Sequence, residues 1–259
     1  MLRAIRLAAP ILVLAAAVAC GGGQSEAPQQ ASAPPPDAKT VDPATAGAIS
    51  GRIAVDGQLP PNPTLSMASD PICLRANEGG MAAESYVASD GGLENVFVYI
   101  KEGLDPKYYF ETPTQPATID QQGCRYHPHV IGVRVGQPLQ IANSDSTLHN
   151  VHGIPETNQE FNFGQPIAGM KNTVTFTAPE VMIPFKCDVH SWMSAYVGVV
   201  NNPYFAVSGK GGAFDLKNVP PGTYTIEAWH EKLGTQTQQV TIGNKEQKQI
   251  TFTFKAAAP

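Results

Sequence analysis

The sequence predicts an all-β protein. Its 259 residues include 24 glycines and 23 prolines, a turn-rich composition that is typical of all-β folds rather than helix bundles. Between these turn residues lie short runs of β-branched and aromatic residues, and no amphipathic helical stretch of useful length accompanies them. The length allows one or two domains plus tails.

The charge pattern argues against a nucleic-acid partner. The formal net charge is −5 at pH 7, and no run rich in lysine or arginine occurs. A protein that binds a phosphate backbone needs a basic patch or stripe, which this sequence lacks.

The N-terminus resembles a bacterial lipoprotein signal. Residues 1–19 carry two positive charges followed by an apolar run too short to span a membrane, and small residues precede Cys20. Ala17 stands where such signals usually have leucine, so cleavage as an ordinary signal peptide is the alternative. The resemblance implies lipidation of Cys20 and a periplasmic protein held to a membrane by its lipid, with Gly21 favouring the outer membrane.

Residues 20–46 are expected to form a lipid-anchored, disordered tether. Glycine, glutamine, alanine, proline and serine dominate this segment, which shows no apolar period. Such a tether would hold the following domains away from the bilayer.

From Gly47 onward the sequence predicts short strands separated by turns. One continuous apolar run, Val96 to Ile100, predicts a strand that is covered on both faces. The other predicted strands are residues 49–55, 130–135, 137–142, 173–177, 182–186, 196–200, 213–216, 224–228, 237–242 and 249–254. The Pro/Gly/Ser-rich segment from residue 62 to residue 90 gives no pattern.

The stretch FKCDVHSWM (185–193) places a thiol, an imidazole and a thioether three residues apart. Cys187, His190 and Met193 are soft or borderline ligands, which indicates a metal site. Three ligands from one loop rarely complete a site, so a fourth should come from elsewhere. The stretch NSDSTLHNV (143–151) supplies it, because His149 follows one predicted strand and opens another.

These two motifs together resemble the small blue-copper proteins, the cupredoxins, over residues 115–201. The shared features are a strand that ends in Asn, five residues, and then His-Asn-Val, followed later by Thr-Phe-Thr-Ala-Pro and a Cys-x2-His-x2-Met loop. The resemblance implies a Greek-key β-sandwich with one type 1 copper bound by His149, Cys187, His190 and Met193. Two imidazoles and a thiolate with a weak axial thioether suit both Cu(I) and Cu(II).

The resemblance also assigns roles around these ligands. Asn150 would brace the two ligand loops by hydrogen bonding. His190 would lie near the surface and pass the electron, and Phe185 and Trp192 would supply part of an apolar surround. Zinc, which also accepts Cys and His, is disfavoured by Met193 and by the Asn-to-His spacing.

The four cysteines can all be assigned. With Cys20 assigned to lipid and Cys187 to the metal loop, Cys73 and Cys124 remain, and in an oxidising compartment they are expected to form a disulfide.

The remaining histidines are interpreted as non-ligands. His152 lies three residues after His149 and should point to the opposite face of an extended strand. His127 and His129 are expected at the surface or in a turn, with a second metal site as the alternative. His230 is expected to be a structural polar residue.

A second module resembles the carboxypeptidase regulatory-like, or transthyretin-like, sandwich. The resemblance depends on the pattern in residues 214–226, which consists of Phe-x-Leu, Pro-Gly and a Tyr-centred strand. In addition, GAISGRI (47–53) resembles the family's first strand. Residues 47–102 and 203–257 would then form one sandwich, split by the inserted cupredoxin. Tandem order is the alternative. No catalytic constellation is visible, so the module is interpreted as a scaffold or docking surface.

The function expected from the sequence is that of an exported, one-electron copper carrier rather than an enzyme. Its partners would be redox proteins such as a c-type cytochrome or a dehydrogenase, and the carrier would be a monomer. The alternatives are copper binding or delivery without redox turnover, and a metal-free scaffold. A nitrite reductase domain would need a second, all-histidine copper, which the sequence does not supply.

Overall fold

A computed structural model describes residues 34–256, and in this part of the chain it confirms the all-β prediction. The described helices are one α-helix, α1 (Pro71–Ala76), and one 3-10 turn (Lys210–Gly212). The strands are β1 (Gly47–Asp56), β2 (Ala88–Ser89), β3 (Gly92–Leu93), β4 (Phe97–Glu102), β5 (Ala117–Gln121), β6 (Tyr126–His127), β7 (Val130–Arg134), β8 (Pro138–Asn143), β9 (His149–Gly153), β10 (Phe161–Gln165), β11 (Lys171–Thr175), β12 (Glu180–Lys186), β13 (Ser194–Val200), β14 (Phe205–Val207), β15 (Ala213–Val219), β16 (Gly222–His230), β17 (Gly234–Ile242) and β18 (Gln247–Lys255).

Strands β5 to β13 form two sheets, which we name the central sandwich. One sheet has the order β10-β9-β12-β13-β7 and the other the order β11-β8-β5-β6. Both sheets are mixed, because β13 runs parallel to β7 and β5 runs parallel to β8 while the other pairs are antiparallel. The end of β12 pairs with His152 and Gly153 of β9 in antiparallel register, so the chain beyond Lys186 continues toward the start of β9. This pairing brings together the two segments that carry the predicted ligands.

Strands from the two ends of the chain pair with each other to form a second pair of sheets, the terminal sandwich. In one sheet β1 runs parallel to β18 and antiparallel to β15. In the other, β4 lies between β14 and β16, and β17 forms the edge. The central sandwich is thus inserted in sequence between β4 and β14.

Each sandwich has its own apolar core. The core of the terminal sandwich combines Ile49 and Ile53 of β1 with Phe252 and Phe254 of β18, all of them nearly or fully buried. The core of the central sandwich contains residues from β5, β7, β8, β9, β12 and β13, and it includes Cys187 and Met193. The two predicted ligands are therefore built into a packed core rather than carried on an exposed loop.

A third apolar cluster joins the two sandwiches through glycines. The Phe97 ring of β4 lies against Gly198 and Gly132, which face each other across the β13–β7 pair. A Cβ at Gly198 would come within 2.6 Å of the Phe97 ring, and one at Gly132 within 2.4 Å of the Phe205 ring. Glycine is required at both positions because a larger residue would push the sandwiches apart.

The predicted tether ends earlier than residue 46. Lys39 forms a bridge with Tyr108 and an ion pair with Asp105, so this stretch lies against the folded domain instead of extending away from it. The predicted signal peptide (1–19) and Cys20 lie outside the described residues. Among residues 34–256, no helix is both long and apolar enough to cross a bilayer.

Candidate metal centre

The loop between β12 and β13 carries Cys187, His190 and Met193. It is closed by its own backbone: the Cys187 N–H donates to the Met193 carbonyl at 3.3 Å, and the Met193 N–H donates to the His190 carbonyl at 2.9 Å. These bonds turn all three side chains into the protein, where each is no more than 2% exposed. The seven residues from Cys187 to Met193 thus carry three buried side chains with soft or borderline ligand atoms.

His149 opens β9 and is held by the loop that precedes it. The Asn143 side chain donates to the Thr147 carbonyl at 3.1 Å and thereby fixes this loop. The Tyr126 hydroxyl lies 2.9 Å from the Asn150 carbonyl and 3.1 Å from that of Lys186, so it ties the residue after His149 to the residue before Cys187. His149 itself is fully buried.

The side chains of His149, Cys187 and His190 meet at one buried point. The two Nδ1 atoms lie 3.0 Å apart, and the His190 Nδ1 lies 3.7 Å from the Cys187 Sγ. One ligand atom from each of the three residues lies within 4.8 Å of the other two. Bonds of about 2.0 Å to nitrogen and about 2.3 Å to sulfur that meet at ~120° would separate N from N by roughly 3.5 Å and N from S by roughly 3.7 Å. The three residues therefore fit a single metal ion with little movement.

The outer nitrogens of both imidazoles face carboxylates. The His149 Nε2 lies 2.9 Å from an oxygen of Asp145, and the His190 Nε2 lies 3.0 Å from an oxygen of Asp70. A carboxylate accepts a hydrogen bond, so Nε2 of each ring is the protonated nitrogen. Nδ1 is then left as the ligand atom, directed toward the other imidazole and the thiol.

The pKa values of the three groups reflect this arrangement. Burial lowers the pKa of His149, but interactions with Asp145 and with the Cys187 sulfur outweigh it and raise this pKa to about 9. Burial raises the pKa of Cys187, yet hydrogen bonds from His149 and from the Asn150 backbone leave it below the ordinary value. In the metal-free protein the raised pKa of His149 favours its protonated form, and metal binding would displace that proton.

Asn150 connects the two ligand loops. Its backbone N–H points at the Cys187 sulfur at 3.3 Å, and its side-chain oxygen accepts from the Asp188 N–H at 3.0 Å. This is the bracing geometry that the resemblance implied for Asn150. Phe185 is buried in the same core, and Trp192 packs against it.

The expectation that His190 lies near the surface is wrong for this chain. His190 is 1% exposed, because the segment around α1 covers it. Asp70 contacts its outer nitrogen, and the sulfur of Cys73 lies 3.9 Å from the same atom. Residues 62–90 show no sequence pattern, so this cover could not be predicted from them as a strand or helix. Asp70-Pro71 was a usable signal, since Asp followed by Pro is typical of a helix start.

The predicted disulfide between Cys73 and Cys124 is confirmed, and it lies beside the metal centre. Both cysteines are buried, and their Cα atoms are 5.6 Å apart. The Cys124 carbonyl accepts from the Trp192 indole at 3.0 Å, and the Trp192 ring lies 4.9 Å from the His190 ring. The disulfide thus ties the α1 segment to the loop that carries the ligands.

The other histidines lie outside this centre. His152 pairs with Asp188 and Glu160 on the outer side of β9, as predicted from the strand period. His127 is exposed. His129, expected at the surface or in a turn, is instead buried, and it pairs with Glu231 at 2.6 Å where the two sandwiches meet.

His230 is buried in its neutral form. Its Nδ1 accepts from the backbone N–H groups of Lys232 and Leu233, both at 3.2 Å, so this nitrogen carries no proton. Burial lowers the pKa of His230 to about 4. The residue therefore has the structural role that the sequence indicated.

We expect the free energy of unfolding to fall by up to about 1.4 kcal/mol per pH unit through His230 as the pH falls from about 6.5 toward about 4. In this window the unfolded chain binds a proton that the folded chain rejects. Denaturant unfolding of metal-free wild type and His230→Asn at several pH values measures the effect. Asparagine keeps an acceptor for the two N–H groups but does not titrate. The free energy of unfolding of His230→Asn should therefore depend less on pH, by the one proton that His230 takes up on unfolding. Equal slopes in the two proteins would contradict the assignment.

Comparisons with known proteins found similar solved structures, each over part of this chain. No model of a protein family matches the sequence, and no curated protein matches it. Among solved structures, a reduced mutant of amicyanin is 24% identical over 32% of this chain and 80% of its own, with a TM-score of 0.29. A purple cupredoxin from Nitrosopumilus maritimus is 22% identical over 32% of this chain and 98% of its own, with a TM-score of 0.27.

A Cu-containing nitrite reductase from Thermus scotoductus is 18% identical over 57% of this chain and 28% of its own, with a TM-score of 0.29. Similarities of this size do not assign a function. The assignment depends on the geometry of the residues themselves.

Proposed function

We propose that the chain binds one copper ion through His149, Cys187, His190 and Met193 and carries single electrons between redox proteins. One observation supports this most directly: two imidazole Nδ1 atoms and one thiol converge at a buried point, and Met193 is buried in the same core as that thiol. A donor set of two His, one Cys and a weak Met is the set that suits blue copper. Copper would supply a one-electron couple between Cu(I) and Cu(II).

The surroundings favour a carrier over an enzyme. The three converging side chains are at most 2% exposed, so the protein leaves no open position for a substrate molecule. Catalytic metal sites keep such a position open, whereas a closed site limits the metal to electron exchange through the protein. The residues of the chain hold the ligands in place and exclude water.

The proposed setting is the periplasm, with the protein held to a membrane by lipid on Cys20. Its partner would be a redox protein such as a c-type cytochrome or a dehydrogenase. The Cys73–Cys124 disulfide supports an oxidising compartment, since such bonds are rare in the cytosol.

Copper addition to the metal-free protein tests the proposal. We expect one equivalent of Cu(II) to produce intense visible absorption, and voltammetry to show a reversible one-electron couple. Copper uptake with colour but without reversible redox would indicate a copper-binding or delivery protein. Absence of stoichiometric binding would favour a metal-free scaffold.

Met193 should tune the potential rather than hold the metal. Met193→Leu removes a weak donor and should raise the potential, whereas Met193→Gln supplies a harder oxygen that stabilises Cu(II) and should lower it. Each tenfold change in the relative affinity for the two copper states shifts the potential by about 59 mV. Voltammetry should give the order Leu, wild type, Gln from high to low, with colour in all three.

Met182 offers a matched control for this series. It is also a buried methionine of the β12 region, but it packs in the cluster between the two sandwiches. Met182→Leu should leave the potential unchanged. If Met193 and Met182 variants behave alike, Met193 is core packing and the axial assignment is wrong.

A further inference from the structure

The segment around α1 belongs to neither of the two sandwiches, yet it contacts the metal centre directly. The Asp70 carboxylate, the buried Cys73 and the disulfide to Cys124 all lie against His190. This segment lies against the outer edge of the His190 ring, which is 1% exposed. A cover that only excluded water could be apolar, but this one places a charged group on a ligand.

We propose that Asp70 is a positioning residue of the metal centre: its carboxylate holds the His190 ring with Nδ1 facing Cys187, and its charge favours the oxidised metal. The proposal builds on the copper site proposed above. It adds a residue from a segment 120 positions away in sequence from the ligand that it contacts.

The hydrogen bonds of Asp70 fix its carboxylate before any metal arrives. One oxygen accepts from the N–H groups of Ile72 and Cys73, at 2.7 and 3.0 Å, and so caps α1. The other oxygen accepts from the Thr147 hydroxyl at 2.8 Å and meets the His190 Nε2 at 3.0 Å. Because the cap and the disulfide hold the segment from two sides, the carboxylate cannot follow a rotating ring. It therefore defines the orientation of the ring.

Asp70 also connects the two ligand loops. Thr147 lies two residues before His149, so the same oxygen that orients His190 anchors the loop that leads into the other imidazole. Asp145 makes the equivalent contact to His149. Each imidazole therefore has its own carboxylate, and both carboxylates are less than one-fifth exposed.

The negative charge of Asp70 determines in which direction its removal shifts the potential. A carboxylate that accepts the outer N–H of a ligand histidine makes the ligand more basic, and loss of such a partner typically costs about 10- to 100-fold in metal affinity. A nearby negative charge stabilises Cu(II) more than Cu(I) because the interaction grows with the charge on the metal. Removing the charge at Asp70 should therefore weaken Cu(II) binding more than Cu(I) binding and raise the potential.

Asp70→Asn tests the proposal with little structural change. Asparagine caps a helix as well as aspartate does, so α1 keeps its acceptor for Ile72 and Cys73. At the other position an amide N–H replaces an oxygen, and it cannot accept from the His190 Nε2–H. We expect Cu(II) affinity to fall by about 10- to 100-fold, and the potential to rise by about 59 mV for each tenfold loss that Cu(I) does not share.

Thr147→Val is the matched control, because it removes the other partner of the same oxygen and leaves the His190 contact in place. Its effect on copper affinity and potential measures the contribution of the His149 loop alone, and it should be smaller than the effect of Asp70→Asn. An Asp70→Asn protein with the wild-type potential would overturn the proposal. So would equal shifts in the two variants, since the effect would then come from the loop and not from His190.

A measurement on metal-free protein separates this proposal from the copper assignment. Nitrogen NMR of the wild type should show the His190 proton on Nε2 with slow exchange, because it is donated to a buried carboxylate. In Asp70→Asn the His190 Nε2 proton should no longer be protected from exchange. A wild-type His190 without a protected Nε2–H would overturn the role of Asp70 whatever metal binds. Conversely, the protected proton together with no copper binding would disprove only the proposed function.

Discussion

Copper-loaded Cys187→Ser should lose the intense visible absorption expected of the wild type. The colour of a site of this kind comes from charge transfer from a thiolate to Cu(II), and a serine oxygen cannot supply it. Cys187 is the one free cysteine among residues 34–256, since Cys73 and Cys124 form a disulfide. No other thiol in this part of the chain can replace it.

The serine variant separates loss of the ligand from loss of the fold. Serine is close to cysteine in size, and its oxygen can still accept from the Asn150 N–H that now faces the sulfur. Burial of the hydroxyl should cost about 1–3 kcal/mol at most. We would measure the absorption of both proteins with equimolar Cu(II) and compare their unfolding without metal. A folded serine variant that keeps the full colour would refute the blue-copper assignment.

Deletion of residues 203–259 should unfold the N-terminal strands. In the terminal sandwich, β1 pairs with β15 and β18, and β4 lies between β14 and β16, so the deletion removes the partners of both. It also removes Phe252 and Phe254 from the core around Ile49 and Ile53. Each buried side chain of this kind contributes about 1.5–3 kcal/mol. The deletion removes eleven buried side chains of this core, and their combined loss exceeds the roughly 5–15 kcal/mol that stabilises a typical domain.

Limited proteolysis with mass spectrometry can show which strands unfold in the truncated protein. In the truncated protein we expect cleavage within residues 47–102 before residues 115–201, because β1 and β4 become exposed edges. Adding the separate 203–259 segment should restore protection if the pairing itself is what stabilises the strands. A truncated chain that unfolds cooperatively with the stability of the full-length protein would support tandem order instead.

The strands were predictable because their information is local. The alternation in β1 and the continuous apolar run of β4 follow from which faces are buried, and the structure buries Val96 to Ile100 as that run indicated. Short polar strands such as β10 and β11 carry a weaker signal, since only alternate residues contact the core. The first described residues differ from the predicted tether because proline and alanine also occur in segments that pack on a surface, as around Lys39.

The geometry at His190 was not predictable from its own loop. The resemblance placed this residue near the surface, whereas a segment with no recognisable pattern buries it. His129 shows the same limit, because its partner Glu231 lies 102 residues away in the other sandwich. A local sequence pattern contains no information about such a long-range contact.

The sequence by itself determined the all-β class and which side chains could serve as ligands, because residue type, spacing and period express these properties locally. It also determined the disulfide, because only two of the four cysteines had no other role. The tertiary structure alone decided that His149, Cys187 and His190 meet at one buried point, and that Asp145 and Asp70 orient the two imidazoles. The reason is that burial and charge at a site arise from segments that chain folding brings together. Asp70 and His190 are 120 residues apart in sequence, and only the folding of the chain between them places this carboxylate 3.0 Å from the ligand.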